Sequence, residues 1–181
     1  SKVDPAKPAG EWALSAEGRQ RCKPAAELLA PYRPGVVVTS REPKAAETGQ
    51  LIAEALGLRC TTADGLHEHD RKGVGYLRTQ EEFEQRVAHL FACPGQTVFG
   101  RESADEAHAR FSRAVSDALA QYPGENVAIA THGTVMALFV ARAAGLDPFE
   151  FWKQLTMPSL VVMRLPGFEL EAVHVGIGRE G

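Results

Sequence analysis

The sequence predicts an α/β fold, a three-layer α/β/α sandwich around a mostly parallel mixed sheet. Short runs of β-branched and apolar residues alternate with segments whose apolar residues recur at helical spacing. Glycines and prolines separate these segments, and two further strand-like runs flank a Pro-Gly turn near the end of the chain. Strands that alternate with helices are joined by crossovers, so we expect parallel strands with helices on both faces.

The first third of the chain predicts two helices and two strands behind a loop over 1–13. Ser15 is placed to cap the first helix, and Gly57 is placed to end the second. Pro24 lies inside the first helical pattern and predicts either a kink or a helix that begins there. The predicted elements are a helix over 15–29, a strand over 36–39, a helix over 43–56 and a strand over 59–62.

The remainder of the chain predicts three helices, a buried strand and a closing hairpin. Ser103 and Glu106 form a capping-box pattern at the start of one helix, and Gly145 ends another. The predicted elements are helices over 79–92, 104–122 and 134–144, a strand over 126–131, and hairpin strands over 160–165 and 169–175.

Length, charge and cysteine content restrict the class of protein. The chain has 181 residues, a formal net charge of −3 and 44% hydrophobic residues, which suits one domain over 1–181. This charge gives no electrostatic footprint for nucleic acid, and no apolar run reaches the roughly 20 residues of a membrane span. Cys22, Cys60 and Cys93 are widely spaced and predict neither a disulfide framework nor a zinc ribbon, so we expect a cytoplasmic location.

His132 stands at the junction of a predicted buried strand and a helix. Ligands of open α/β sheets bind at the carboxyl ends of strands, where helix N-termini offer free amides such as that of Gly133. These amides and the positive end of the helix dipole favour an anion. The alternative is a structural histidine that hydrogen-bonds a neighbouring carbonyl.

Two further polar segments follow predicted strands. Arg41 and Lys44 lie between the 36–39 strand and the next helix, where an anion would offset the unfavourable placement of cations at a helix start. Glu68 follows the second strand–helix unit and is a candidate general acid or base. His67, His69 and Asp70 surround Glu68 and are potential metal ligands, although their spacing matches no metal motif. Solvated surface side chains are the alternative for each segment.

Five segments in a fixed order carry a family resemblance. They are residues 14–19 (LSAEGR), 39–48 (TSREPKAAET), 66–68 (LHE), 100–103 (GRES) with the later Arg110, and 131–133 (THG). This ordered set resembles the histidine phosphatase superfamily, which is phosphoglycerate-mutase-like. The resemblance covers most of 14–145 and rests on the order of the segments, because no single segment is specific.

The resemblance implies a phosphomonoester hydrolase that works through a phosphohistidine on a small phosphorylated substrate. His132 corresponds to the second histidine, which donates a hydrogen bond to the phosphate, and Glu68 to the carboxyl group that protonates the leaving alcohol. Arg41, Lys44 and Gly133 are the expected phosphate-binding residues, inorganic phosphate is a second expected ligand, and no metal or cofactor is implied. Phosphoglycerate-mutase-type phosphoryl transfer and a non-catalytic module that binds phosphate esters are the alternatives.

The chain departs from the family pattern at two places. It contains no Arg-His-Gly motif, so we expect the nucleophilic histidine and its strand to precede Ser1. If they do not, the chain has no phosphoryl acceptor and is either a pseudoenzyme or unfolded. Lys44 stands where the family has arginine, and either Lys44 or Arg41 is expected to contact phosphate.

Residues 63–102 are expected to form a cap over the pocket. Basic side chains in this segment meet either a second acidic group of the substrate or solvent; they are Arg71, Lys72, Arg78, Arg86 and Arg101. The aromatic residues Phe149, Phe151 and Trp152 form either a contact between subunits of a homo-oligomer or part of the core.

Overall fold

A computed structural model describes residues 2, 4, 6–75, 77 and 79–178; Ser1 and Arg78 lie outside these residues. Two short 3₁₀ turns cover Ala9–Glu11 and Ala30–Tyr32. The helices are α1 Ala16–Leu29, α2 Pro43–Leu56, α3 Gln80–Ala92, α4 Ala104–Gln121, α5 Gly133–Ala144 and α6 Pro148–Gln154. The strands are β1 Pro34–Ser40, β2 Arg59–Ala63, β3 Asn126–Ala130, β4 Leu160–Arg164 and β5 Glu169–His174.

The helix starts follow from capping residues in the sequence. The Ser15 hydroxyl accepts a hydrogen bond from the Gly18 amide at 3.1 Å, and Ser103 and Glu106 form the predicted reciprocal capping box. Helix α1 runs through Pro24, so a helix start at that proline is wrong. Buried side chains on both sides of Pro24, including Cys22 and Leu29, hold the helix together against the roughly 3 kcal/mol cost of an internal proline.

Three parallel strands form the central sheet in the order β2-β1-β3. Val36 and Val38 of β1 belong to the apolar cluster that includes the buried residues of α4 and α5. Helix α2 covers the opposite face and packs on α1. It approaches β1 closely, since a Cβ on Gly49 would lie 2.1 Å from Thr39 Cγ2. Helices therefore cover both faces of a parallel sheet, and the predicted α/β class is confirmed.

The hairpin β4–β5 is an antiparallel sheet of its own. The mixed sheet expected from the sequence is therefore present as two separate sheets in the described part of the chain. Helix α6 was not predicted and precedes this hairpin; Asp147 caps it by accepting the Glu150 amide at 2.8 Å. Phe151 is buried, and Phe149 and Trp152 pack against the core, which places all three aromatic residues in core contacts.

Helix α5 is the most extensively buried helix, with seven buried residues among its 12. Its length falls well short of the roughly 20 residues that cross a bilayer. Across the described ranges, no helix is both long and apolar enough to span a membrane.

Candidate active site

His132 lies at the carboxyl end of β3, at the N-cap position of α5. Its ring is almost fully buried, and Nε2 lies 3.0 Å from Oγ of Ser40, the last residue of β1. Two neighbouring parallel strands thus end at the same point, and their terminal side chains meet there. This is the position at which an open α/β sheet binds ligands.

Glu68 reaches the same point from the loop after β2. Its carboxylate accepts hydrogen bonds from the amides of Thr134 and Val135, at 3.1 and 3.2 Å, in the first turn of α5. The remaining amide of this turn, that of Gly133, donates to no acceptor in the described part of the chain. Glu68 therefore occupies part of the anion site that the helix N-terminus creates, and Gly133 leaves a donor for a second anion.

The pKa of Glu68 reflects this environment. Burial alone would raise the pKa of its carboxyl group, but the charges of His132 and Arg71 and the amides of His69 and Thr134 outweigh burial and lower the pKa to about 2. Without a ligand, Glu68 is therefore an ionised carboxylate at neutral pH.

Lys44 and Glu42 complete the cluster from the start of α2. Lys44 Nζ donates to the carbonyl of Ala9 at 2.8 Å and lies 3.3 Å from Glu42 Oε2, and both side chains are largely buried. Glu42 also accepts the amide of Glu68 at 3.1 Å, and its Oε2 lies 3.5 Å from His132 Nε2. Glu42 therefore contacts the other three residues of the cluster: the Lys44 and His132 side chains and the backbone amide of Glu68.

The charge state of His132 is set mainly by burial, which lowers the pKa of its imidazole. Glu68 and Glu42 raise this pKa, whereas Lys44 and Arg71 lower it, and the resulting shift is downward. His132 is therefore neutral at pH 7 and can donate a single hydrogen bond from one ring nitrogen.

Arg41 points away from this cluster. Its guanidinium pairs with Asp64 at 2.6 Å, and the two side chains are 65% and 84% exposed. An exposed pair of this kind contributes little, because water and salt screen it. Of the two cations expected to contact phosphate, Lys44 lies with His132 and Arg41 lies at the rim of the cavity.

Arg110 on α4 holds the loop that carries Glu68. Its guanidinium donates to the carbonyls of Gly65 and His67, at 2.7 and 2.9 Å, and pairs with Glu102 at 2.5 Å. Thr131 adds a 2.8 Å hydrogen bond to the carbonyl of Leu66. These contacts fix the backbone on both sides of Glu68, so its carboxylate is aimed at α5 by the scaffold.

The two histidines next to Glu68 face different surroundings. His69 is buried against Phe99, and its Nε2 lies 2.8 Å from the carbonyl of Glu102. His67 lines the cavity, where burial and the charge of Arg110 lower the pKa of its imidazole. Within the residues that the structure describes, no three His, Cys, Asp or Glu side chains stand close enough to hold a metal ion.

A large cavity opens beside this cluster. Its volume is about 1780 Å³, whereas pockets for small molecules typically measure about 300–1,000 Å³. His132, Glu68, Lys44 and Gly133 line it near the carboxyl ends of the strands, and it continues between β3 and β4. The cavity can therefore hold more than a small substrate.

Fold and site together define an α/β protein with an anion site at the carboxyl edge of a parallel sheet. The family model of the histidine phosphatase superfamily (branch 1) matches residues 6–176. The chain belongs to this superfamily of enzymes, as its ordered motifs predicted. Membership of the superfamily supports phosphatase activity. A comparison with curated proteins found no match.

Solved structures confirm the phosphoglycerate-mutase-like fold. The α-ribazole phosphatase from Shigella flexneri is 20% identical, with 96% of this chain and 91% of that chain covered and a TM-score of 0.67. A native mycobacterial glucosyl-3-phosphoglycerate phosphatase is 22% identical, with 83% and 77% covered and a TM-score of 0.66. The same mycobacterial enzyme in complex with VO₃ is 25% identical, with 81% and 76% covered and a TM-score of 0.61.

Sequence reasoning missed several residues at this site. Glu42 stands in the predicted Arg41–Lys44 turn, and its position before Pro43 marked only a helix start. Ser40 gave no signal beyond its place at a strand end. Trp152, whose indole Nε1 would lie 3.7 Å from a Cβ on Gly133, was predicted only as part of a subunit contact or of the core. Their roles depend on contacts between distant segments, since 92 positions separate Ser40 from His132.

We expect Lys44→Ala to weaken inhibition by orthophosphate about 10–100-fold, since a hydrogen bond to a charged group contributes about 1.5–3 kcal/mol. Arg41→Ala is the matched control, and its inhibition constant should change less than about twofold because its partner Asp64 is exposed. Inhibition constants at fixed ionic strength measure both effects. A larger loss for Arg41→Ala would assign the phosphate contact to Arg41.

Proposed function

We propose that this protein hydrolyses phosphate monoesters of small molecules through a phosphohistidine intermediate. The observation that carries the proposal is the meeting of His132, Lys44, Glu68 and the Gly133 amide on one cavity at the carboxyl edge of the sheet. Fixed cations and donors of this kind stabilise the charge that spreads over the equatorial oxygens during phosphoryl transfer. No step of the proposed chemistry needs a metal ion or cofactor.

Each group has a proposed part in two successive displacements. A histidine nitrogen attacks phosphorus and the ester P–O bond breaks, while the Glu68 carboxyl gives its proton to the departing oxygen. In the second displacement a water oxygen attacks phosphorus, the P–N bond breaks, and the Glu68 carboxylate takes the proton from that water. His132 donates to a phosphoryl oxygen throughout, and Lys44 and the Gly133 amide hold the others.

Glu68 must gain a proton before the first displacement. The unliganded carboxyl has a pKa of about 2, which keeps it ionised. A phosphate dianion beside it would raise that pKa, because a like charge favours the neutral form. We therefore propose that substrate binding itself protonates Glu68, with the proton taken from solvent or delivered by the monoanionic ester.

The nucleophilic histidine is proposed to arrive on an additional strand between β3 and β4. All five residues of each strand line the cavity, whereas a strand that faced a cavity with one side would contribute alternate residues. The two strands thus present backbone edges to the cavity, and within the described residues each has a strand partner on one side only. A cavity of this shape suits a strand, which would satisfy both edges.

The position of residues 6–12 indicates where in the chain this strand would come from. Residues 6–12 line the cavity, and the carbonyl of Ala9 accepts from Lys44 at the carboxyl edge of the sheet. A strand that runs parallel to β3 and ends at this edge would continue directly into the segment. We propose that the residues ahead of Ser1 form the strand and bring the histidine to the phosphate site.

The net charge of the cluster also favours an additional N-terminal segment. Lys44 and Arg71 carry two positive charges, and Glu42 and Glu68 carry two negative charges, so these four side chains together offer no net attraction to a dianion. The family's Arg-His-Gly motif would add the missing cation together with the nucleophile. The alternatives, phosphoglycerate-mutase-type transfer and a pseudoenzyme that only binds phosphate esters, share the same pocket and differ in the fate of the phosphoryl group.

A labelling experiment separates these functions. The chain that includes the residues ahead of Ser1 should, after brief mixing with a ³²P-labelled ester and an alkaline quench, carry label that is stable to base and lost in acid. The label should leave as orthophosphate, because water is the proposed acceptor. Label that appears on a second hydroxyl of the substrate would establish a mutase, and binding without label would establish a pseudoenzyme.

A cytoplasmic location also stands as a proposal. Cys22, Cys60 and Cys93 are free thiols, and burial raises the pKa of the Cys22 and Cys60 thiols, which makes them less reactive. Free thiols are typical of proteins in a reducing compartment.

A further inference from the structure

One wall of the cavity that holds His132 is built from flat side chains. Phe99 and Phe83 come from the loop and helix after β2, and Trp152 comes from α6. The Phe83 ring packs edge-to-face on Trp152 at 5.6 Å and lies 6.2 Å from Phe99. These three rings, together with Arg71, are termed the aromatic wall.

Arg71 extends the aromatic wall toward the catalytic groups. Its guanidinium carbon lies 4.9 Å from the Phe83 ring centre and 5.9 Å from that of Phe99, and the described residues include no salt-bridge partner for it. Its charge also lowers the pKa of Glu68 and of His132. Arg71 lines the same cavity as His132 and Glu68, and a planar guanidinium can stack on a flat ligand.

Trp152 brings the aromatic wall to the start of α5. A Cβ on Gly133 would lie 3.7 Å from the indole Nε1 and 3.1 Å from Met157 Cε. Met157 is 58% exposed, and a flexible thioether at this position can adapt to a ring and contact its edge. If a phosphate binds to the Gly133 amide, the organic group bonded to that phosphate would extend along these side chains.

Polar side chains beside the aromatic wall already have local partners. Thr79 caps α3 by accepting the Glu82 amide at 3.1 Å. Gln80 donates to Glu84 at 3.0 Å, and Asp70 accepts the amide of Lys72 at 2.9 Å. A sugar or polyol requires several available hydrogen-bonding partners, whereas this wall, apart from the guanidinium of Arg71, offers flat apolar faces.

Resting on the proposed phosphatase function, we infer that the substrate's alcohol part is a planar aromatic or heteroaromatic group that packs on the aromatic wall, in contact with Trp152 and Arg71. The substrate class is then an aryl or heteroaryl phosphate monoester, or one with a ring a bond or two from the ester oxygen. Trp152 and Arg71 determine specificity, and the chemistry stays with His132, Glu68 and the nucleophile.

Phosphonates test this inference, because they cannot be hydrolysed and so separate recognition from leaving-group reactivity. Competitive inhibition by phenylphosphonate, methylphosphonate and 2,3-dihydroxypropylphosphonate is measured on the full chain with residues ahead of Ser1. Phenylphosphonate should bind about tenfold more tightly than the other two, the gain expected from an aromatic contact together with the burial of its ring. Equal inhibition by all three would overturn the inference.

Variants locate the contact. Trp152→Leu should remove most of the preference for phenylphosphonate over methylphosphonate, while Trp152→Phe retains it. Arg71→Gln should reduce the same preference, whereas Arg86→Gln, an exposed change on α3, should leave it intact. A preference that survives Trp152→Leu and Arg71→Gln would refute the assignment. Failure of orthophosphate or any phosphonate to inhibit would count against the proposed function instead.

Discussion

His132→Ala should lower turnover of a generic aryl phosphate by about 10²–10³-fold in the chain that carries the nucleophile, the range found when one oriented donor to a transition-state oxyanion is removed. The imidazole is buried and neutral, and its Nε2 lies 3.0 Å from Ser40 Oγ, so the ring is oriented before substrate arrives. The expected loss falls on the rate of phosphoenzyme formation, measured by rapid quench. Unchanged turnover would remove His132 from the mechanism.

A control variant at a second histidine distinguishes a loss of catalysis from a general effect on folding. His89 is an exposed residue in the last turn of α3, and His89→Ala should leave turnover within about twofold of the parent, as is usual for a surface change. His132→Asn adds a second comparison, because an amide retains hydrogen-bonding capacity in a buried site. Equal losses for His132→Ala and His89→Ala would indicate a change in folding rather than in phosphoryl transfer.

Local signals in the sequence were sufficient to predict most elements of the fold. The capping residues Ser15 and Ser103 and the glycines after α2 and α5 act within one turn of the chain, so the helix bounds could be predicted to within a residue or two. Helix α6 had a comparable signal in Asp147 and Pro148, which the aromatic pattern of this segment obscured. Within the described residues the β4–β5 hairpin is separate from the parallel sheet. The proposed additional strand would lie between them, so the separation has no local signal in this part of the sequence.

The site was predicted only in part for the same reason. His132, Lys44, Glu68 and Gly133 follow strand ends, and the carboxyl ends of parallel strands meet, so topology alone brings them together. Arg41 lies at the same turn yet faces solvent, where its guanidinium pairs with the exposed Asp64. The hydrogen bonds from Arg110 to the loop that carries Glu68 join residues more than 40 positions apart, so no local sequence pattern predicts them.

Glu68 links stability to pH as well as to catalysis. Its folded-state pKa of about 2 lies below the ordinary glutamate value of 4.5, so its contribution to stability is fully present above the unfolded pKa and is lost as pH falls through about 2. The shift corresponds to on the order of 3 kcal/mol at neutral pH. In urea titrations between pH 2 and 7, Glu68→Gln should flatten this acid dependence, whereas Glu81→Gln, an exposed change on α3, should not.

The same Glu68→Gln variant should slow phosphoenzyme formation most for esters with poor leaving groups. An alkyl alkoxide needs a proton as the P–O bond breaks, so loss of the acid costs about 10²–10⁴-fold, whereas nitrophenolate departs without one. Single-turnover rates isolate this step from the second displacement, in which Glu68 activates water for every substrate. If alkyl and nitrophenyl esters slow equally in single turnovers, Glu68 is not the acid, and its carboxylate serves only to cap α5.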